Sequence, residues 1–453
     1  MPAALTRLFR LVLALMLSVA VMARPALAQS IVRDAETEAL MLDMSRDLII
    51  AAGLQPRNVQ IVMILDGSIN AFVAGGQIVY MHSGLITSAD NANQVQGVIA
   101  HEIGHIEGGH VVRFSEGAKA ATGIMLLSLL LGAAAIAAGA GEAGAGIFAA
   151  GQQAAMGKFL AFTRTQESSA DAAAARYLNA AGVSGRGLID FFKKLQNQEY
   201  RLGIQATDSY DRTHPLSRER VTVLTDVLKG APAWDKPTDP AIEARFQRIK
   251  AKLKGYALDP PQVLREYPET DRSIPARYAR AYAWHRSAYP EQALAEIDAL
   301  LATAPHDPYF LELKGQVLLE SGRPREALPA LREAVQLTQF NPLIASMFGH
   351  ALVATEDDGN HPEAERVLRA ALAKDKDNPF AWYQLGVIYG QRGDVARAAL
   401  ASAERFNLEG QPRLALMSAR TALAGIPQGS PDYLRAQDIE MVARTAAEQE
   451  KRR

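Results

Sequence analysis

The stretch Gln94-Val95-Gln96-Gly97-Val98-Ile99-Ala100-His101-Glu102-Ile103-Gly104-His105 reads as a single helix that ends in an H-E-x-x-H pattern. Val95, Val98 and Ile99 recur at helical spacing, and Ser88, Asp90 or Asn91 upstream can supply the N-cap. Positions i and i+4 share one helix face, so the imidazoles of His101 and His105 can bind one metal ion. Glu102 follows the first histidine directly, where its carboxylate can reach a water at the metal and take its proton. The pattern predicts a zinc peptidase. The competing interpretation is a pair of satisfied structural histidines.

A catalytic zinc usually takes a third protein ligand and keeps one position open. His110 is the nearest residue of the right type. On a continuous helix it would point away from His101, since nine residues at about 100° each bring it round by about half a turn. His110 is therefore expected to be an ordinary polar position near the helix end. The better third ligand lies in Arg164-Thr165-Gln166-Glu167-Ser168-Ser169-Ala170-Asp171. Here Glu167 and Asp171 stand i, i+4 on a second expected helix. Glu167 can complete a two-histidine, one-glutamate site, and Asp171 can accept the free N–H of a ligating imidazole. The alternative is a solvated acidic face on an alanine-rich helix. Further on, Thr213-His214-Pro215 precedes Arg218 and Arg220. Proline biases His214 toward an extended conformation on a loop. From there it can donate to the oxyanion of a tetrahedral intermediate, occupy the open zinc position and silence the site, or simply lie on the surface.

These three elements, in this order over roughly Ile31 to Leu228, resemble the gluzincin peptidases of family M48. The likeness includes Asn70-Ala71-Phe72 and Gly84-Leu85-Ile86 upstream of the metal helix. It implies one zinc ion held by His101, His105 and Glu167, Glu102 as general base, and Asp171 behind the ligands. It also implies a positioning role for Arg220 and, for His214, zinc binding that holds the enzyme latent. Taken with the repeats described below, it implies misfolded or stalled outer-membrane proteins as substrates and the barrel-assembly machinery as partner. The implied compartment is the periplasm of a Gram-negative bacterium.

Residues Met1 to Ala28 read as a secretory signal, with Arg7 and Arg10 before an apolar run and Ala26-Leu27-Ala28 as a cleavage site. The chain has no cysteine, which excludes disulfides and a lipid anchor on a new terminal cysteine. Its formal net charge of −1 gives no support to nucleic-acid binding. Ile31 to Ala52 has helical periodicity, Val59 to Leu65 is a strand-like run, and Ala71 to Met81 reads as strand interrupted at Gly75-Gly76. Ala120 to Gly141 is uncharged over a length that can span a bilayer. Yet His105 and Glu167 must meet at one ion, so the chain between them crosses a membrane twice or not at all. The glycine-rich return to Gly157 favours a non-spanning helical hairpin that touches a membrane surface through residues 120–157.

Beyond a proline- and charge-rich junction, the chain repeats. Pro308, Pro342 and Pro379 each open a segment, and the first interval is the tetratricopeptide period of 34 residues. Gly315, Gly349 and Gly386 hold the eighth position, followed by Gly322, Gly359 and Gly393 and then Ala327, Ala364 and Ala398. Trp382, Leu385, Gly386 and Tyr389 match the repeat signature, and Ile274 to Asp307 forms a degenerate earlier unit. Such repeats serve either as a docking surface for another protein or as a scaffold for the peptidase. The expected fold is α+β: a mostly helical gluzincin-type peptidase domain with a small β-sheet, then an all-α tetratricopeptide solenoid. Its expected divisions are a signal peptide at 1–28, the peptidase at 29–255, a linker at 256–273, repeats at 274–430, and a helix with a charged tail at 431–453. The expected activity is that of a periplasmic zinc endopeptidase. The rival is a chaperone-like assembly adaptor with a latent or vestigial zinc site.

Overall fold

Gln60 to Ile64, the β-branched run, forms the central strand β2 of a four-stranded sheet. Ile31–Val32 (β1) pairs antiparallel on one side of it, with Ile31 opposite Ile64. On the other side, Ile78–His82 (β4) pairs in parallel, Gln60 opposite Ile78. Ala71–Ala74 (β3) turns back onto β4 through Gly75-Gly76, both at positive φ, and makes the far edge. This computed structural model describes residues 31–137, 140–202 and 214–452; the expected signal peptide and Thr213 lie outside them.

Helix α1 (Ala35–Ala51) starts at Asp34, whose side chain accepts from the Thr37 amide. Ile31 and Val32, expected within that helix, belong instead to the sheet. A short helix α2 (Ser83–Ser88) leads into the metal-motif helix α3 (Ala92–Glu107), and of the three expected caps Asn91 is the one used. Two long helices follow, α4 (His110–Ala137) and α5 (Gly141–Ala180), and pack side by side as a hairpin. Along α4 the side chains of Leu126, Leu129 and Leu130 are more than half exposed. The stretch His110–Ala135 is long and apolar enough to cross a membrane by length and composition. Helices α6 (Arg186–Leu202) and α7 (Arg218–Lys229) close the peptidase core, where Leu188, Phe191 and Phe192 are fully buried among residues of α1, α3 and α5.

Helix α8 (Pro240–Ala257) belongs to both halves, with Ile249 and Leu253 in the peptidase core and Ala251 packed against Ala279 and Ala283. Residues 256–273, expected as a linker, contain helix α9 (Pro260–Glu266), whose Val263 is buried in that same contact. Ten helices then follow as five successive pairs. They are α10 (Ile274–Arg286) and α11 (Pro290–Thr303), α12 (Pro308–Glu320) and α13 (Pro324–Leu337), α14 (Pro342–Ala354) and α15 (His361–Lys374), α16 (Pro379–Gln391) and α17 (Val395–Leu408), and α18 (Pro412–Gly425) and α19 (Pro431–Arg452). Proline stands at the first turn of nine of them, where no amide partner is lost. The helix expected at 431–453 runs through the charged end to Arg452, with Arg444 bridging to Glu440 one turn back.

The repeats do not hang free of the peptidase. Ala35 is part of the repeat core. Next to it, the buried Glu36 carboxylate accepts from Arg248, Lys252 and, at 2.8 Å, the Tyr278 hydroxyl. Arg248 also reaches Asp307 at 2.6 Å, and Arg33 reaches Asp375 at 3.3 Å. Between residues 31–35 and helices α8, α10, α12, α14 and α16 lies a cavity of about 590 Å³. The scaffold interpretation of the repeats therefore has direct contacts behind it.

Candidate metal centre

Helix α3 presents His101 and His105 on one buried face, their Nε2 atoms 3.1 Å apart. Helix α5 crosses α3 at Gly104, where a Cβ would stand 2.8 Å from the Ala170 carbonyl oxygen. That close approach brings Glu167 in. Its Oε2 lies 3.3 Å from His101 Nε2, and its Oε1 lies 3.4 Å from His105 Nε2. From the loop before α7, His214 sets its Nδ1 at 3.2 Å from both Glu167 oxygens and 3.4 Å from His101 Nε2. One donor atom from each of these four buried residues falls within 4.8 Å of the others.

Behind the donors, His101 Nδ1 meets Asp171 Oδ1 at 3.0 Å. Arg220 grips that carboxylate with two bonds, Nε to Oδ2 at 2.8 Å and Nη2 to Oδ1 at 2.9 Å. Its Nη1 donates to the Pro215 carbonyl at 2.6 Å and stands 3.1 Å from Glu167 Oε2. One guanidinium thus ties the loop of His214 to both acidic residues of α5. The solvated acidic face considered from sequence does not form: Glu167 and Asp171 are both buried. His214 is not a surface residue either, and its Nε2 donates to the Ala71 carbonyl of edge strand β3 at 3.2 Å.

Electrostatics fits the donor set to a cation. Burial works against charge on His101, yet the hydrogen bonds it donates to Asp171 and Glu167 lift its imidazole to about 10. His214 is raised in the same way, burial being outweighed by Glu102 and Glu167. Burial also opposes ionisation of Glu167, but His214 and His101 hold it far below the usual carboxylate range. His105 is pushed well down by burial and by His101 and His214, with His110 adding to it, so it is neutral and free to ligate. A divalent ion seated among these donors would replace the protons that now balance the carboxylates. Glu102 is fully buried, and neither of its oxygens has a hydrogen-bond partner among the described residues. His214 Nε2 stands 3.5 Å from its Oε1, and burial raises the Glu102 carboxyl. A buried carboxylate with no hydrogen bond among the described residues, beside four converging donors, suits an attacking water held between them.

His110 departs from expectation. It is buried, and its Nδ1 lies 3.0 Å from His105 Nδ1. A half turn from His101 holds only along a continuous helix, but α3 stops at Gly108-Gly109, and Gly109 takes φ +63°, which glycine adopts without strain. The glycine pair was the signal that could have found it. His110 also lines the cleft of about 450 Å³ that opens onto Glu102, His105, Glu167 and His214, with Phe72, Val73 and Phe159 as apolar wall.

A helix-borne histidine pair, a glutamate from a neighbouring helix and a free carboxylate in a cleft are the working parts of a metalloprotease, and that is the class of this chain. Residues 11–228 match peptidase family M48, and residues 278–342 and 354–412 match the tetratricopeptide repeat. The chain carries an M48 peptidase domain joined to tetratricopeptide repeats. It is 25% identical over 386 residues to the beta-barrel assembly-enhancing protease of Yersinia pestis, covering 82% of this chain and 76% of that one. To the protein of the same name from Escherichia coli K12 it is 25% identical over 375 residues, covering 81% and 75%. The metalloprotease LoiP of the same strain is 32% identical over 177 residues, covering 38% of this chain and 63% of that one.

Proposed function

We propose that the chain is a zinc-dependent endopeptidase of the bacterial periplasm that acts in quality control and assembly of outer-membrane proteins. The observation that carries the catalytic part is the meeting of His101, His105 and Glu167 beside the Glu102 carboxylate, neither oxygen of which is hydrogen-bonded among the described residues. Bound among those donors, zinc would polarise the scissile carbonyl and acidify the attacking water. Glu102 takes the proton from that water and passes it to the leaving amine. Asp171 and Arg220 keep His101 in the tautomer that offers Nε2. Outer-membrane proteins as clients, and the barrel-assembly machinery as partner of the repeats, are supported by the names of the two longer relatives. The periplasm is supported by the signal-like Met1 to Ala28.

His214 acts as a latch in this proposal. Its Nδ1 faces the donors, where the open metal position would be, and its Nε2 takes the Ala71 carbonyl. An extended substrate pairing with edge strand β3 would need that carbonyl for itself. Both requirements of catalysis are met only when the loop at His214 withdraws.

The test is metal content and casein hydrolysis of the mature protein, Glu102→Gln and His214→Ala. About one zinc per chain in all three, hydrolysis abolished in Glu102→Gln and raised in His214→Ala, is the expected result. Lower activity in His214→Ala would refute the latch and give that histidine a transition-state role. Failure to take up zinc would leave the adaptor as the function.

A further inference from the structure

We propose that His110 is a positioning residue that holds His105 for the metal, accepting the Nδ1 proton of His105 on its own Nδ1. This rests on His105 ligating through Nε2. That nitrogen faces His101 and Glu167 at 3.1 and 3.4 Å, which leaves Nδ1 turned outward. A neutral imidazole that ligates through Nε2 carries its proton on Nδ1, and a buried N–H needs an acceptor. His110 Nδ1 stands 3.0 Å away, the two rings edge to face with centroids 4.9 Å apart.

The backbone is built for this contact. Gly109 reverses the chain, and a Cβ on Gly108 would lie 2.4 Å from His110 Nε2, so the imidazole fills the space a side chain at 108 would need. Gln166, next to Glu167, reaches the His110 carbonyl at 3.5 Å and ties the root of α4 to the helix of the third ligand. The two ligating histidines are thus supported unequally. His101 leans on an anion, Asp171, itself clamped by Arg220, whereas His105 leans on a neutral ring. Accepting on Nδ1 puts the His110 proton on Nε2.

The experiment is zinc competition against a chromophoric chelator with the mature chain, His110→Leu and His110→Asn, and with melting of the zinc-free proteins to check folding. Leucine keeps volume without an acceptor, and asparagine places an oxygen near the Nδ1 position. His110→Leu should weaken zinc binding about 10–100-fold, while His110→Asn stays within about threefold of the unmutated protein. Unchanged affinity in His110→Leu overturns the proposal, as does an asparagine variant as weak as the leucine one. Should His110→Leu not fold, a loss of about tenfold or more in His110→Asn overturns it, and a near-normal affinity supports it. Zinc uptake by none of the proteins, the unmutated one included, would defeat the ligand assignment of His105 instead.

Discussion

Glu312→Gln isolates the energetic penalty of a charge at the junction of the two domains. Glu312 lies on α12 against the peptidase half; it is only 9% exposed, and its Oε2 lacks a hydrogen-bond partner among the described residues. Burial pushes its carboxyl from 4.5 to about 8, with Lys252 pulling against that and Asp34 and Glu36 adding to it. Between those two values the native chain holds one more proton than the unfolded chain, so stability falls as pH rises through the window. At 1.36 kcal/mol per pH unit the whole rise corresponds to about 5 kcal/mol, and water reaching the ionised group reduces it. Glu312→Gln removes the titration and keeps the shape. Its stability relative to the unmutated protein should therefore improve by about 2 kcal/mol between about pH 5.5 and about pH 9. Urea unfolding followed by tryptophan fluorescence reads this directly, since Trp284 and Trp382 lie in the repeats. An equal difference between the two proteins at both pH values would refute the reasoning.

Three further outcomes are expected. Gly349→Ala should cost about 1–3 kcal/mol, because the added Cβ meets Leu368 Cγ at 2.5 Å, whereas Gly386→Ala, with Ala401 at 3.5 Å, should be neutral or gain up to about 1 kcal/mol from helix propensity; thermal melts that rank them the other way would contradict the packing. Lys252→Met strips the half-buried Asp34 and the buried Glu36 of a cation and should cost about 3–5 kcal/mol, seen also as faster limited proteolysis between the domains; an unchanged urea midpoint would contradict it. If the hairpin touches membranes, the mature protein should float with anionic vesicles, and Leu129→Ser with Leu130→Ser should abolish flotation without changing the melt.

The metal helix was readable from sequence because helical spacing and chemistry coincide in five residues, His101 to His105, and the hairpin and repeats because their periods are long. The Glu167 and Asp171 pair was readable only once the histidines had set a context, since i, i+4 carboxylates alone describe any solvated helix. What sequence could not give was depth. Nothing local distinguishes a buried His214 from one on a surface loop, because burial is decided by the distant Ala71 and Glu167. A helical angle does not carry across Gly108-Gly109 to His110, because one positive φ, at Gly109, resets the phase. Likewise, Ile31 and Val32 pass for a first helical turn until Met63 and Ile64 are there to pair with them. The last helix pair, α18 and α19, opens on Pro412 but lacks the glycine at the eighth position, where Ala419 stands, and it packs through Ala415, Ala419, Ala436 and Ala443 together with Ile426 and Ile439.

The hairpin of α4 and α5 leaves the site at His110 and returns to it at Gln166, and Gln166 bonds to His110 where the two arms meet. The excursion is closed at its root before its tip begins. Length, polarity or even a membrane-spanning pair of helices can be grafted onto the distal arms while the root stays pinned. What changes at the exposed tip is thereby kept apart from the donors at the root, Glu167 on α5 and the histidines beside it.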